Sequence, residues 1–349
     1  MVSWTLLPRL LCLCLLSACA SSPHPVSRAS ASFADFDVVW VGDILLGDAA
    51  QDRLNRDGYL FPFEHLQGVM QADYLVGNAE GPLTTRDKPF FPDAKFHYNV
   101  QPEAAVALAK VGFDALGLSN NHAFDRGPEG LVDSRRHIND AGIATFGAGF
   151  LPEAEAPHLI KTPGGIVAVL AFGYPWKAGA LATESTSGTI ALSPTTIARG
   201  KALATAAGAK WVVAFVHWGK NYQPVEKKQQ QFAAMFAAAD YSLVIGHHPH
   251  FAQPVEIVQG MPVLYSLGNF TFATPGRFTG FAPGYGLVAR TVFQPSGAIK
   301  ITLTCIVTDN DVVKFQPIPC SSAEATRLFS TLGSAIRMEG DAGIVEAVR

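Results

Sequence analysis

The chain has 349 residues, 48% of them hydrophobic and 16% charged, which is enough apolar material for a sizeable core and excludes disorder for most of its length. Its 26 basic and 29 acidic residues give a net charge of −3, and no Lys/Arg block is present, which argues against binding a nucleic-acid backbone. The length allows one large domain or two of ordinary size, and 32 Gly and 23 Pro imply many turns.

Residues 1–9 carry one positive side chain, Arg9, and the apolar run that follows over 10–18 is too short to span a bilayer. The run ends in Leu16-Ser17-Ala18-Cys19 and gives way to a Ser/Pro/Ala-rich stretch. Residues 1–18 read as an export signal and 19–34 as a flexible linker. The sequence before Cys19 resembles a bacterial lipobox, in which cleavage leaves Cys19 as a lipidated first residue; an ordinary signal peptide with incidental cysteines is the alternative. A lipid there would anchor the protein in the cell envelope without a membrane span. Ala20 fits outer-membrane sorting, facing the periplasm, in a Gram-negative cell.

From residue 36 onward, β-branched runs alternate with helical patterns. Residues 36–41 (FDVVWV) predict a buried strand ending at Gly42-Asp43, and 73–76 a strand leading to Asn78 and Glu80. A helix over 102–111 starts at a proline. A strand over 113–118 leads to Asn120, Asn121 and His122, and an amphipathic helix over 128–141 stops at Gly142. Strands follow at 143–146 and 166–172, then a helix at 197–207. The run 211–216 (WVVAFV) ends at His217-Trp218-Gly219, and 225–239 places its apolar residues on one helical face. The run 241–245 ends at His247-His248-Pro249-His250. Strands at 255–258 and 263–267 flank a Gln-Gly hairpin signal. Strands at 287–293, 300–307 and 312–315 complete the pattern, with a turn at 308–311 and a final amphipathic helix over 323–338. These elements predict an α/β fold in which two mixed β-sheets pack together with helices outside. The domain covers 35–318, with a helical extension over 319–349. Cys305 and Cys320 flank the last turn; export permits a disulfide between them, and two buried free thiols are the alternative.

Five apolar runs end in residues of one chemical kind: Asp43; Asn78 and Glu80; Asn120, Asn121 and His122; His217; His247, His248 and His250. The ends of neighbouring strands lie on one sheet edge, so side chains far apart in sequence can converge there. Taken singly, Asp43 reads as a turn former and His217 as a packed histidine. The three His in four residues at 247–250 are harder to explain by packing. Carboxylates, an amide oxygen and imidazoles together form a normal ligand set for one or two divalent transition metals.

The chain resembles the bacterial capsule-synthesis protein family of CapA/PgsA type, linked to poly-γ-glutamate capsules and belonging to the calcineurin-like metallophosphoesterase superfamily. The stretches that carry the resemblance are VGDILLG at 41–47, GNAEGPLT at 77–84, GFDALGLSNNHAFDRGPEGL at 112–131, AGIATFGAG at 141–149, VHWG at 216–219, and IGHHPHFAQPVE with VLYSLGNFTF between 245 and 272. The resemblance implies a metallophosphoesterase-like four-layer αββα sandwich holding two divalent metal ions, Mn, Fe or Zn. Asp43 and His250 would hold metal one, Glu80 would bridge, and Asn121, His217 and His248 would hold metal two. His122 would be the general acid, oriented by Asp125. Asn78, Trp218 and Asn269, next to these positions, are placed as substrate contacts, and His247 is left out of the ligand shell. The sequence departs from the family at Leu45, where many metallophosphoesterases have a metal-binding His, and at Asn221 and Ala273, where acidic residues are common.

Two functions follow. In the first, a metal-dependent hydrolase acts on an anionic cell-surface polymer or a phosphoester. In the second, favoured by Leu45, Asn221 and Ala273, a non-catalytic metal-binding protein serves as scaffold or polymer-binding subunit beside capsule synthase or export partners.

Overall fold

Alternation along the long strands sets the layers. In Asp37–Leu45, Val38 and Trp40 face one side, Val39 and Val41 the other, and all four are fully buried. This strand pairs parallel with Tyr74–Ala79 and antiparallel with Tyr285–Phe293. Its far end pairs parallel with Asn269–Phe272. The first sheet runs Arg337–Glu339, Ala342–Ala347, Ile299–Val307, Tyr285–Phe293, Asp37–Leu45, Tyr74–Ala79, Ala115–Gly117, Ala144–Phe146. The second runs Val255–Val258, Met261–Leu264, Leu243–His247, Trp211–His217, Gly165–Gly173, His158–Thr162. The computed structural model describes residues 36–174 and 179–347, together with Met1. The expected signal, the lipobox with Cys19 and the linker over 19–34 lie outside the described residues.

Val38, Trp40 and Val76 of the first sheet share one apolar core with Val169, Val213 and Phe215 of the second. The opposite face of the first sheet packs under Gln51–Asp57, Glu103–Val111 and Gly127–Asp140 through Leu54, Leu108, Leu131 and Ile138. The opposite face of the second, with Val212, Ala214 and Val216, packs under Pro194–Ala206 and Lys227–Ala238 through Ile197, Phe232 and Phe236. Helix, sheet, sheet and helix therefore form four layers, and the fold is the α/β sandwich the sequence predicts. The described residues from 36 onward belong to one compact unit. Among them no helix is long and apolar enough to cross a membrane.

Two expected elements differ. The turn at 308–311 and strand at 312–315 are replaced by a short helix, Asn310–Val313. The Asp309 side chain caps it, accepting from Asp311 N, and the buried Asn310 amide donates to Phe272 O at 2.7 Å. Local side-chain hydrogen bonds of this kind compete with strand pairing. The helix expected over 323–338 is confined to Ser322–Phe329. Gly333, with φ +113, turns the chain, and Arg337–Glu339 and Ala342–Ala347 form a hairpin on the edge of the first sheet. The tail over 319–349 is thus part helix and part sheet. Cys305 and Cys320 are joined in a disulfide with Cα atoms 5.4 Å apart, beside the paired Ile306 and Pro319.

Candidate metal centre

The strands that carry the chemistry run parallel within each sheet, so their carboxyl ends share an edge. Asp43 and Asn78 are register partners in the first sheet, and His217 and His247 in the second. Local backbone geometry aims the side chains. A Cβ on Gly42 would lie 1.9 Å from Gly268 O, so only glycine lets these strands approach where Asp43 N donates to that carbonyl at 2.9 Å. His248 and His250 have φ of +96 and +64, a region that non-glycine residues seldom occupy. This turn folds both rings back toward Asp43, whose Oδ2 accepts from His248 N at 3.1 Å. Strained conformations at converging polar groups point to function.

Asp43, Glu80, His217, His248 and His250 are all buried, and Asn121 is half-buried at the edge of the group. His217 Nε2 lies 2.7 Å from Asn121 Oδ1 and 3.1 Å from His248 Nδ1. His250 Nδ1 lies 3.4 Å from Asp43 Oδ2. Glu80 Oε1 stands between, 3.7 Å from His217 Nε2 and 3.9 Å from His250 Nε2. Neither Glu80 oxygen has a hydrogen-bond partner among the described residues, although both are buried. Among the described residues, two triads have ligand atoms within 4.8 Å of one another, Glu80–His248–His250 and Asp43–Glu80–His217. Both contain Glu80. These triads divide the histidines differently from the expected two groups. The shorter contacts keep Asp43 with His250, and Asn121 with His217 and His248.

Burial raises the Glu80 carboxyl well above its ordinary value, and Asp43 and Asp125 add to that. Burial pushes Asp43 the same way, but the hydrogen bond to His250, the nearby His247 and the Asn78 amide outweigh it and hold its carboxyl below the usual range. Burial also drives His217 and His248 well below the ordinary imidazole value, and neighbouring histidines add to the effect. Neutral imidazoles beside carboxylates are the protonation states that metal ligation needs. An orphaned, buried carboxylate among such donors fits a divalent cation.

His122 lies at the same edge. Its Nδ1 is 2.7 Å from Asp125 Oδ2, which also accepts from Tyr98 N at 2.8 Å. A carboxylate at Nδ1 fixes the tautomer with its proton there and leaves Nε2 to exchange protons. The Tyr98 ring lies 4.2 Å from the His122 ring, and Asn120 Oδ1 accepts from His122 N at 3.1 Å. Tyr98 sits in an irregular loop with no motif around it, and nothing in the sequence singles it out.

The neighbouring residues divide. Trp218 is not a substrate contact: it is fully buried in the helix-side core of the second sheet, stacks on Tyr265 and donates from Nε1 to Tyr265 O at 2.8 Å. Side chains alternate along a strand, so the residue after an inward-facing His217 faces outward. Asn78 and Asn269 are buried and orient other groups. Asn78 Nδ2 donates to Asp43 Oδ1 at 2.8 Å and lies 3.2 Å from His217 Nδ1. Asn269 Oδ1 is 3.0 Å from His250 Nδ1 and can accept its proton, which leaves Nε2 as the lone-pair atom on the Glu80 side. His247 points between the sheets, with Nε2 3.2 Å from Val41 O and its ring 4.2 Å from Phe215. Leu45 is buried in the helix-side apolar core of the first sheet and supplies no ligand atom.

Residues 37–274 match the family described as bacterial capsule synthesis protein PGA_cap. The Capsule biosynthesis protein CapA of Bacillus anthracis is 31% identical over 240 residues, covering 66% of this chain and 58% of the relative. The PGA biosynthesis protein CapA of Bacillus subtilis is 30% identical over 241 residues, covering 67% of this chain and 62% of that relative. The chain thus matches about three-fifths of the length of these relatives. Among solved structures, the NAD nucleotidase of Haemophilus influenzae aligns with a TM-score of 0.43 at 13% identity, covering 87% of this chain and 63% of that one, too slight a similarity to carry an argument. With the matched segment containing Asp43, Glu80, His217 and His250, the chain belongs to the bacterial capsule synthesis protein family.

Proposed function

We propose that this chain is a metal-dependent hydrolase of the bacterial cell envelope, acting on an anionic surface polymer such as poly-γ-glutamate, or on a phosphoester. The observation that carries this reading is Glu80, a buried carboxylate with no hydrogen-bond partner, set among Asp43, His217, His248 and His250. When bound, two divalent cations would supply Lewis acidity toward an anionic oxygen and make water a competent nucleophile near neutral pH. Asp43 and His250 would hold one cation, Asn121, His217 and His248 the other, and Glu80 both. Asn78 and Asn269 keep Asp43 and His250 in position by their amides. His122 would give a proton from Nε2 to the leaving atom, while Asp125 at Nδ1 holds the ring and stabilises its charged form. Asn120 fixes the backbone that presents His122.

A lipid at Cys19 would hold the domain at a membrane surface, within reach of a growing or exported polymer. Incorporation of labelled fatty acid, lost in Cys19→Ser, tests that anchor. The scaffold reading rests on Leu45, an apolar side chain where a histidine would complete a phosphatase-like site. The experiment that separates the two is a hydrolysis screen of metal-reconstituted protein against γ-linked glutamate oligomers and phosphomonoesters and diesters. The hydrolase reading expects turnover lost in His122→Ala with metal content unchanged. Metal binding without turnover on any of them supports the scaffold and overturns the hydrolase.

A further inference from the structure

We propose that Arg277, stacked on Tyr222 beside the cluster, grips an oxyanion of the substrate, a carboxylate or phosphate, and so helps set its specificity; the assignment rests on the hydrolase reading above. Both residues lie on loops that leave the strand ends of the site, Tyr222 after Trp211–His217 and Arg277 after Asn269–Phe272. Tyr222 is 8% exposed, and its ring lies 5.6 Å from that of His250. Its backbone N donates to Pro249 O at 2.9 Å, in the segment that bends His248 and His250 into the cluster. Phe278 packs edge-on against the same ring at 5.5 Å. With Phe251 and Ala282 these residues form a small apolar cluster that fastens the 274–284 loop to the site.

Arg277 is exposed, and its Cζ lies 4.9 Å over the Tyr222 ring. Among the described residues eight other arginines pair with carboxylates, and Arg126 and Arg327 do not. Arg277 makes no ion pair among the described residues. In a chain whose acidic residues outnumber its basic ones, an arginine at the site without a carboxylate partner calls for a reason. Stacking supplies one: it engages the face of the guanidinium and leaves its in-plane N–H donors available. Those donors form a flat fork that matches a carboxylate or phosphate bidentately, and the ring beneath restricts the fork's orientation.

The test uses Arg277→Met and Arg277→Lys in the metal-loaded protein. The probes are a synthetic γ-linked glutamate decamer and bis(p-nitrophenyl) phosphate, and kcat and KM are measured separately at low and physiological salt. Loss of a charge-assisted pair should raise KM about tenfold in the Met variant, with kcat within about twofold of the wild type. The Lys variant should lie between, since it keeps the charge and loses the fork. The probe that shows the effect identifies the oxyanion. Wild-type turnover with KM unchanged in Arg277→Met overturns this assignment and leaves the hydrolase standing. No wild-type turnover of either probe, with metal bound, overturns both.

Discussion

Glu80→Gln should make the metal-free protein more stable and the metal-loaded protein less so. In the absence of metal, Glu80 buries two oxygens that have no hydrogen-bond partner, beside an Asp43 whose carboxyl is held ionised. Each unsatisfied buried polar atom costs about 1–3 kcal/mol. An amide at this position is neutral at any pH and escapes the cost of burying a charge beside Asp43. The expected gain is about 1–2 kcal/mol, or a Tm rise of about 2–5 °C in a domain of this size. With metal the order should invert. A cation at 100 times its Kd stabilises the wild type by about 2.7 kcal/mol. The variant, without the bridging carboxylate, should gain far less. Differential scanning calorimetry in EDTA, and then across a manganese titration, should show the two Tm curves crossing. A variant less stable than wild type in EDTA, or one that gains as much from manganese, would refute the assignment of Glu80.

Asp125→Asn should keep metal content and fold while lowering kcat about 10²–10⁴-fold, because an amide at His122 Nδ1 no longer favours the charged ring; kinetics beside elemental analysis would check it, and an unchanged kcat would remove His122 from the chemistry. The metal-free protein should lose stability as pH falls below about 6.5. The folded-state values of His217 and His248 are depressed, so the unfolded chain binds more protons there. Glu80, raised by burial, works the other way, since the folded state holds its proton more tightly as pH rises above about 4.3. The two imidazoles should win between pH 6.5 and 5.5, and a flat or rising Tm over that interval in EDTA would count against the buried neutral histidines. Replacing Cys305 and Cys320 by Ser should cost about 3 kcal/mol, the expected loop-entropy contribution for cysteines 15 residues apart. Denaturant unfolding with and without reductant measures it, and a difference below about 0.5 kcal/mol would assign the bond no structural role.

What could be read in advance was whatever a short run of residues determines. The FDVVWV and WVVAFV runs pack apolar residues on both faces, and in this fold both faces are covered, one by a sheet and one by helices. The residues after each run were expected to meet at one edge, and Asp43, Glu80, Asn121, His122, His217, His248 and His250 do so. Side-chain direction was harder. Trp218 adjoins His217 in sequence and faces the opposite core, because strand alternation depends on a register fixed only by pairing. Asn78 and Asn269 read as substrate contacts in the sequence, and in the structure their amides brace Asp43 and His250. A buried amide and a cleft-lining amide look alike until burial is known. The tail misled for another reason. The amphipathic pattern past residue 329 satisfies a helix, but edge pairing with Ile299–Val307 offers hydrogen bonds that a helical continuation would forgo. Tyr98, Tyr222 and Arg277 carry no local signature, since they reach the site through tertiary packing alone.

In the proposed hydrolase, Glu80 lies between two cations. Anomalous diffraction from crystals grown with manganese tests it most directly. The hydrolase proposal expects two peaks about 3.5–4 Å apart, one beside Asp43 and His250, the other beside Asn121, His217 and His248, with a Glu80 oxygen near each. A single peak, or two peaks that leave Glu80 out of contact, would contradict it.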